Sequence, residues 1–551
     1  MRPIGPRAAL RKTLSFLHPS SIRSPVASRR RPHHATRSTR VGPGCPRSRC
    51  YASVNAPPSS EKGKQPTQPV RANEAGLNLA VLGGGITGLT TALALSTELP
   101  KATVTLYEAS ARLGGWVDSK TVDVGNGNVV LEQGPRTLRP LTASGYATLK
   151  LITALGLEDE VLITPRTAAA AQNRFIYYPD HAVRMPGPGQ SLLPMLAALW
   201  QEPLFAGLAR GLLYEFIQPQ RPAELEDESV AAFCARRTGS SALADNLVSA
   251  VLHGIYAGDV HQLSAKSLLP GMWALDRRGS IGRHYLLRKS DNVVELDETL
   301  MMWASQDQLR PILDRFRHAS VYSFKGGLGT LTGAVEKTLR RQKNVRVRTE
   351  TPVKKLRHDG ASGEVHISLA TNHPPARHTH VFSTLSGPTL ASISEAPLPS
   401  LANIPAVTVM VVNVYYANSM LLPIHGFGYL IPRSIPWEQN PERALGVVFD
   451  SDAVVGQDSA PGTKVTVMLG GHWWDGWSTY PDEDEAVVMA KRVLARHLHI
   501  TAEPVVVHVG LQRDCIPQYT VGHHARLTQA DRALRAAYRG RPMPSPGRKT
   551  S

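Results

Sequence analysis

The sequence predicts an α/β plus α+β protein in which a Rossmann-like domain is interrupted by a mixed-sheet domain and a helical domain. Three observations predict it. A glycine-rich turn separates a strand-like run from a helix-like run at residues 79–93. Helix-rich, strongly apolar sequence follows at 188–300. Strand-like runs then return. Arg346-Val347-Arg348 and His380-Val381-Phe382-Ser383 resume the first unit. Val407 to Tyr416, Leu445 to Asp450, Lys464 to Leu469 and Val505 to Val509 suit a mixed sheet. At 551 residues the chain exceeds one compact domain.

The first unit opens with Leu79-Ala80-Val81-Leu82, the pattern of a buried parallel strand. Gly83-Gly84-Gly85-Ile86-Thr87-Gly88 follows, and Leu89, Ala92 and Leu93 begin a helical pattern. This is G-x-G-x-x-G with a strand before it and a helix after it. The glycines permit the tight turn, the close approach of backbone to a pyrophosphate and the packing of helix on strand. A second strand, Thr103 to Tyr107, ends at Glu108, where a carboxylate can accept from ribose hydroxyls and disfavours a 2′-phosphate. Ala109 follows it. Then come Arg112, placed to face phosphate or to lock its loop, and Gly114-Gly115-Trp116. Glu132-x-Gly134-Pro135-Arg136-Thr137 closes the unit. A second glycine-rich turn suits a cofactor longer than NAD, lying across the domain. The reading therefore moves to FAD.

The formal charge of +18 raises a nucleic-acid partner, but its distribution argues against one. Residues 1–60 hold 11 Arg, one Lys and no acid, and the remainder is near balance at +6. An Arg- and Ser-rich, acid-free leader has the composition of a mitochondrial transit peptide. Leu10, Leu14, Phe16 and Leu17 offer a short amphipathic turn, and Arg49 to Ser53 resembles a matrix-protease cleavage site. Cys45 and Cys50 lie in this leader. Cys234 and Cys515 match no CxxC spacing, and His523-His524 have no partner at ligand spacing, so no metal is expected. The boundaries read as a leader at 1–53, a linker at 54–76, nucleotide-binding parts at 77–165 and 318–390, mixed-sheet parts at 166–187 and 391–510, a helical domain at 188–300, and a C-terminal segment at 511–551. No apolar run reaches the roughly 18 residues needed to span a bilayer. The apolar stretches 192–200 and 204–216 fit either buried core helices or a surface resting on a membrane interface.

GGGITG, EASARLGGW and FKGGLGTL resemble the amine-oxidase-like flavoprotein superfamily. GPRTLRP (134–140), AQNRFIYYP (171–179), DNLVSAVLHGIYAGD (245–259), GFGYLIPRS (426–434), LGVVFDS (445–451), KVTVMLGG (464–471) and CIPQYTVGH (515–523) are similar to the protoporphyrinogen oxidase family, in its order. The resemblance implies an FAD-binding Rossmann-like domain, a mixed-sheet substrate domain and a helical membrane-associated domain on the mitochondrial inner membrane. It implies that Gly83 to Gly88 cradle the pyrophosphate, Glu108 holds ribose, Trp116 and Gly134 to Thr137 line the route to the isoalloxazine, and Val353 meets adenine through its backbone. Arg174 would pair with a propionate. Leu390, Leu421 and Phe427 would sandwich the tetrapyrrole, with Met420 the alternative to Leu421 in a slightly longer loop. The implied reaction takes protoporphyrinogen IX to protoporphyrin IX in heme biosynthesis. A meso bridge gives hydride to flavin, and molecular oxygen returns as hydrogen peroxide. No side chain is required as catalytic acid, base or nucleophile. A homodimer stays open.

The family's further glycine-rich segment is expected after CIPQYTVGH, yet the chain runs into Gly540-Arg541-Pro542-Met543-Pro544 and stops at Ser551. The FAD site is therefore expected to lack a wall and to hold flavin weakly. Two rival readings remain. One is another FAD-dependent amine oxidase or desaturase. The other is a non-catalytic tetrapyrrole-binding relative disabled by the missing segment.

Overall fold

The computed structural model of the chain describes residues 76–538 apart from 141, 188–189, 288–309 and 371–373. The expected leader, nearly all of the linker, Cys45, Cys50 and the tail Gly540 to Ser551 lie outside the described residues.

The Rossmann-like unit is a parallel four-stranded sheet in the order His380–Ser383, Asn78–Leu82, Thr103–Tyr107, Val345–Arg348. Alternation along the first strand divides its two faces. Leu79 and Val81 pack with Val104 and Leu106 under Leu89, Ala92 and Leu93 of helix Ile86–Glu98 and Val335 and Leu339 of helix Gly329–Arg340. Ala80, Leu82 and Tyr107 face the other way, onto Leu356 and Ile367. Those two belong to a three-stranded antiparallel sheet, Val353–His358, Val365–Leu369 and Ala376–His378. Both faces of the parallel sheet are covered, so its central strands read as continuous apolar runs.

The second unit is a seven-stranded mixed sheet. Its order is Val506–Pro517, Ala406–Tyr416, Thr463–Gly470, Ala444–Val448, Gly428–Leu430, Phe175–Tyr177, Ala182–Arg184. The pairing of Gly428–Leu430 with Phe175–Tyr177 is parallel and the rest are antiparallel. Helix Glu483–Leu498, opened by a capping box between Asp482 and Glu485, covers one face through Ala486, Ala490, Val493 and Leu494. Met410, Val412, Val414 and Tyr416 point into that layer. Val407, Val409 and Val411 point to the opposite face, with Leu445, Met468 and Ala257.

The strand Val506–Pro517 runs past the boundary expected at 510. Its register to Ala406–Tyr416 continues through a bulge, so residues up to Pro517 belong to the sheet. Asp450 opens a short helix, Asp450–Ala453, instead of ending a strand. Helix His523–Tyr538 packs Ala530 on Leu398 and Leu401, and the Tyr538 hydroxyl lies 2.7 Å from Ser394 Oγ.

Of the two apolar stretches, one forms helix Leu192–Gln201 and the other helix Leu208–Phe216. Pro194 falls in a first helical turn, where its missing N–H costs no helix bond, and Pro203 opens a separate 3-10 turn. Leu204 and Phe205 are buried, whereas Leu193, Trp200, Leu213 and Ile217 are 80%, 84%, 73% and 77% exposed. No described helix is long and apolar enough to cross a membrane.

Candidate functional site

Three glycine-rich segments meet at the C-terminal ends of the parallel strands, where α/β sheets bind ligands. The Gly83 amide donates to the Tyr107 carbonyl at 2.9 Å. A Cβ on Gly88 would stand 1.8 Å from the Gly83 carbonyl oxygen, so only glycine fits there. Helix Ile86–Glu98 starts after Gly85 with no side-chain cap and no acid in its first turn. Ile86 and Thr87 thus open a helix whose first amides are available to an anion.

Glu108 stands at the end of the second strand. Its Oε2 accepts from the Gly84 amide at 2.6 Å, and its Oε1 accepts from the Ser110 amide and hydroxyl, both at 2.8 Å. A carboxylate offers about four acceptor positions, so room remains for a ligand hydroxyl. Ala109 is exposed beside it. The Thr351 amide donates to the Glu108 carbonyl at 2.8 Å, which carries Val353, at the head of its strand, to this corner.

The second turn lies against the first: the Gly114 amide donates to the Gly84 carbonyl at 2.9 Å. Arg112 locks this turn. Its Nη1 donates to the Leu113 and Val117 carbonyls and its Nη2 to the Gly115 carbonyl. Of the two roles open to it, holding the loop is the one its geometry shows. Trp116 follows, 49% exposed. Gly134 then passes so close that a Cβ there would stand 2.0 Å from the Trp116 carbonyl oxygen. A continuous track of backbone thus runs from Gly83 to Gly88, through Gly114-Gly115-Trp116, to Gly134-Pro135-Arg136-Thr137. Pro135 is exposed on it, Thr137 half-buried and Arg136 buried.

Glu132 lies beneath this track, 3% exposed. It accepts from Ser119 Oγ at 2.6 Å and from the Leu328 amide at 2.7 Å, tying down the third glycine turn, Gly326 to Gly329. Burial pushes its carboxyl up to about 7 against the lowering pull of those two bonds and of Arg136. Glu132, Asp450 and Lys464 all lie in runs legible in the sequence, but nothing there assigns any of them a role. Asp450 pairs with Arg136 at 3.2 Å. Lys464 Nζ donates to the Val130 carbonyl at 2.7 Å and to Asp458 at 2.8 Å. A lone Lys, Thr or Asn inside an apolar strand is the signal that could have marked these.

The residues expected to meet substrate are only partly brought together. Arg174 is exposed, and no side-chain hydrogen bond or ion pair engages it among the described residues. Burial of its stem and then the nearby Arg139 lower its pKa. The Phe427 amide donates to the Asn173 carbonyl at 3.1 Å, which sets Phe427 beside Arg174. Phe427 packs with Leu162, Val448 and Met468. Leu421 packs into the layer under helix Glu483–Leu498, and Met420 is exposed. Leu390 packs with Leu356 on the Rossmann side and with Leu398 beside the C-terminal helix. The three apolar positions therefore sit in three separate clusters.

An anion site at a helix start, a carboxylate for hydroxyls and a long glycine floor define a flavin-dependent oxidoreductase. The chain belongs to the flavin-containing amine oxidoreductase family, whose model matches residues 86–542. Within that family it belongs with the protoporphyrinogen oxidases. The protoporphyrinogen oxidase of Schizosaccharomyces pombe is 35% identical over 462 residues, covering 82% of this chain and 90% of that protein. That of Homo sapiens is 34% identical, covering 84% and 92%. A crystal structure from Exiguobacterium sp. 255-15, of a protein provisionally named protoporphyrinogen oxidase, matches with a TM-score of 0.65 at 21% identity, over 84% of this chain and 92% of that one. The last match speaks for the fold. The cofactor of this cradle is FAD.

Proposed function

We propose that this chain oxidises protoporphyrinogen IX to protoporphyrin IX, as part of heme biosynthesis, with molecular oxygen as final acceptor and hydrogen peroxide as by-product. The observation that carries the reading is the continuous track from Gly83 to Thr137, which leads to the sheet bearing Arg174 and Phe427. Its support in sequence is the identity to oxidases of that name.

Bound FAD supplies a two-electron acceptor. The chain does the rest by position. Amides at the start of helix Ile86–Glu98 take the pyrophosphate, Glu108 takes a ribose hydroxyl and the Val353 backbone borders the adenine. The free guanidinium of Arg174 offers a paired donor set to a propionate carboxylate. Phe427, beside Arg174, offers an apolar face that shields a flat macrocycle from water. No side chain has to exchange a proton at a defined step.

We place the chain peripherally on the mitochondrial inner membrane. Leu193, Leu196 and Trp200 on one helix, and Leu212, Leu213, Phe216 and Ile217 on or just after the next, leave exposed apolar side chains suited to the headgroup boundary. The acid-free leader supplies the address. The test is turnover: the purified chain, reconstituted with FAD, should generate protoporphyrin fluorescence from protoporphyrinogen above the FAD-free rate. Equal rates with and without FAD would end this reading.

A further inference from the structure

Arg136 and Asp450 stand 314 residues apart in sequence, and both side chains are about nine-tenths buried. Arg136 Nη1 donates to Asp450 Oδ1 at 3.2 Å. The pair is one side of a closed ring. The Thr466 hydroxyl sits between Asp450 Oδ2, at 2.6 Å, and Asn413 Oδ1, at 2.9 Å. Asn413 Nδ2 then donates to the Glu132 carbonyl at 3.1 Å, and the backbone from Glu132 to Arg136 closes the circuit. Three of these side chains come from the seven-stranded sheet or the turn after one of its strands. The fourth comes from the loop that ends the glycine track, and the Glu132 carbonyl belongs to the last residue of the strand Asn128–Glu132 that leads into it. Asn413 follows Val407, Val409 and Val411 on the sheet face turned away from helix Glu483–Leu498, so the ring lies where the two units meet.

We propose that Asp450 is the positioning residue that seats loop 133–137 on the seven-stranded sheet by holding Arg136, and that it thereby sets how tightly the chain retains FAD. The inference rests on the FAD reading of the track. A shift of this loop would be passed on, because Gly134 abuts the Trp116 carbonyl and Trp116 continues the turn bonded to Gly84. A buried guanidinium that loses its carboxylate is costly, so the loop would move to return Arg136 to water. Removing both charges removes that penalty, which makes the double variant the deciding case.

The test uses the purified chain and its Asp450→Asn, Arg136→Gln and doubly substituted variants. FAD affinity is read by flavin-fluorescence titration. Hydrogen exchange of amides 133–137 is read without cofactor. Asp450→Asn should weaken FAD binding by about tenfold or more and speed exchange in the loop, while the double variant regains most of the protection against exchange. Wild-type affinity and exchange in Asp450→Asn would overturn the proposal, as would a double variant whose loop exchanges no more slowly than that of Asp450→Asn. If Asp450→Asn does not fold, Thr466→Val, which keeps the ion pair, should still speed exchange at 133–137, and no change there overturns it. None of these readings uses porphyrinogen. A wild-type chain that binds FAD without oxidising porphyrinogen ends the functional reading alone.

Discussion

The amide of Gly114 donates to the carbonyl of Gly84, joining two glycine-rich turns into one floor. The paired glycines leave backbone open to close approach, and the fit at Gly88 is the most demanding part of the first turn. Gly88→Ala would place a methyl against the Gly83 carbonyl. We expect a loss of about 1–3 kcal/mol in stability and more than about tenfold in FAD affinity. Thermal unfolding and flavin titration check both, and an alanine variant that binds FAD normally contradicts this account of the turn.

Arg174 projects no pair to any described carboxylate, and its guanidinium is free for a ligand. Arg174→Ala is expected to raise KM for protoporphyrinogen about tenfold or more, with kcat changed far less, because a propionate contact is kept through the reaction. Arg174→Lys should recover only part of the loss, since the paired donor geometry is gone. A fall confined to kcat would assign this arginine another role.

Glu132 titrates high because it is buried. Its folded value of about 7 lies above its ordinary value of 4.5. The contribution it makes to stability is therefore complete below about pH 4.5 and is lost as the pH rises through about 7, at up to roughly 1.4 kcal/mol per pH unit. Denaturant unfolding between pH 5 and pH 8 measures this slope. Glu132→Gln should flatten it, and an unchanged slope in that variant would show that another group carries the dependence.

The exposed apolar helices make a separate prediction. Trp200 and Leu213 have few neighbours to lose, so Trp200→Glu and Leu213→Glu should leave the fold and flavin content intact. Each should reduce partition onto phospholipid vesicles by about tenfold or more, from the apolar burial removed. Sedimentation with vesicles reads it. Undiminished binding of both variants would move the membrane contact elsewhere or remove it.

Much of the fold was legible because its signals are local. The strand, turn and helix from Leu79 to Leu93 follow from adjacent residues, and so do the strand-like runs at 380–383 and 407–416. What was illegible depends on which distant segments meet. Nothing near Arg136 in sequence announces Asp450, and nothing near Val509 announces a register that carries its strand on to Pro517. Arg112 shows the intermediate case: its neighbourhood allowed two roles, and the carbonyls of Leu113, Gly115 and Val117 decide between them. Leu390 and Leu421 show the opposite one. Each is apolar and each is packed, yet only tertiary structure assigns them to different layers.

In the proposed reaction, electrons pass from a porphyrinogen to flavin held on the Gly83-to-Thr137 track. The most direct measurement is the absorption spectrum of the FAD-reconstituted chain during anaerobic addition of protoporphyrinogen IX. The flavin bands should bleach as protoporphyrin appears, and admitting air should restore them. Flavin bands that persist unchanged while substrate is present would contradict it.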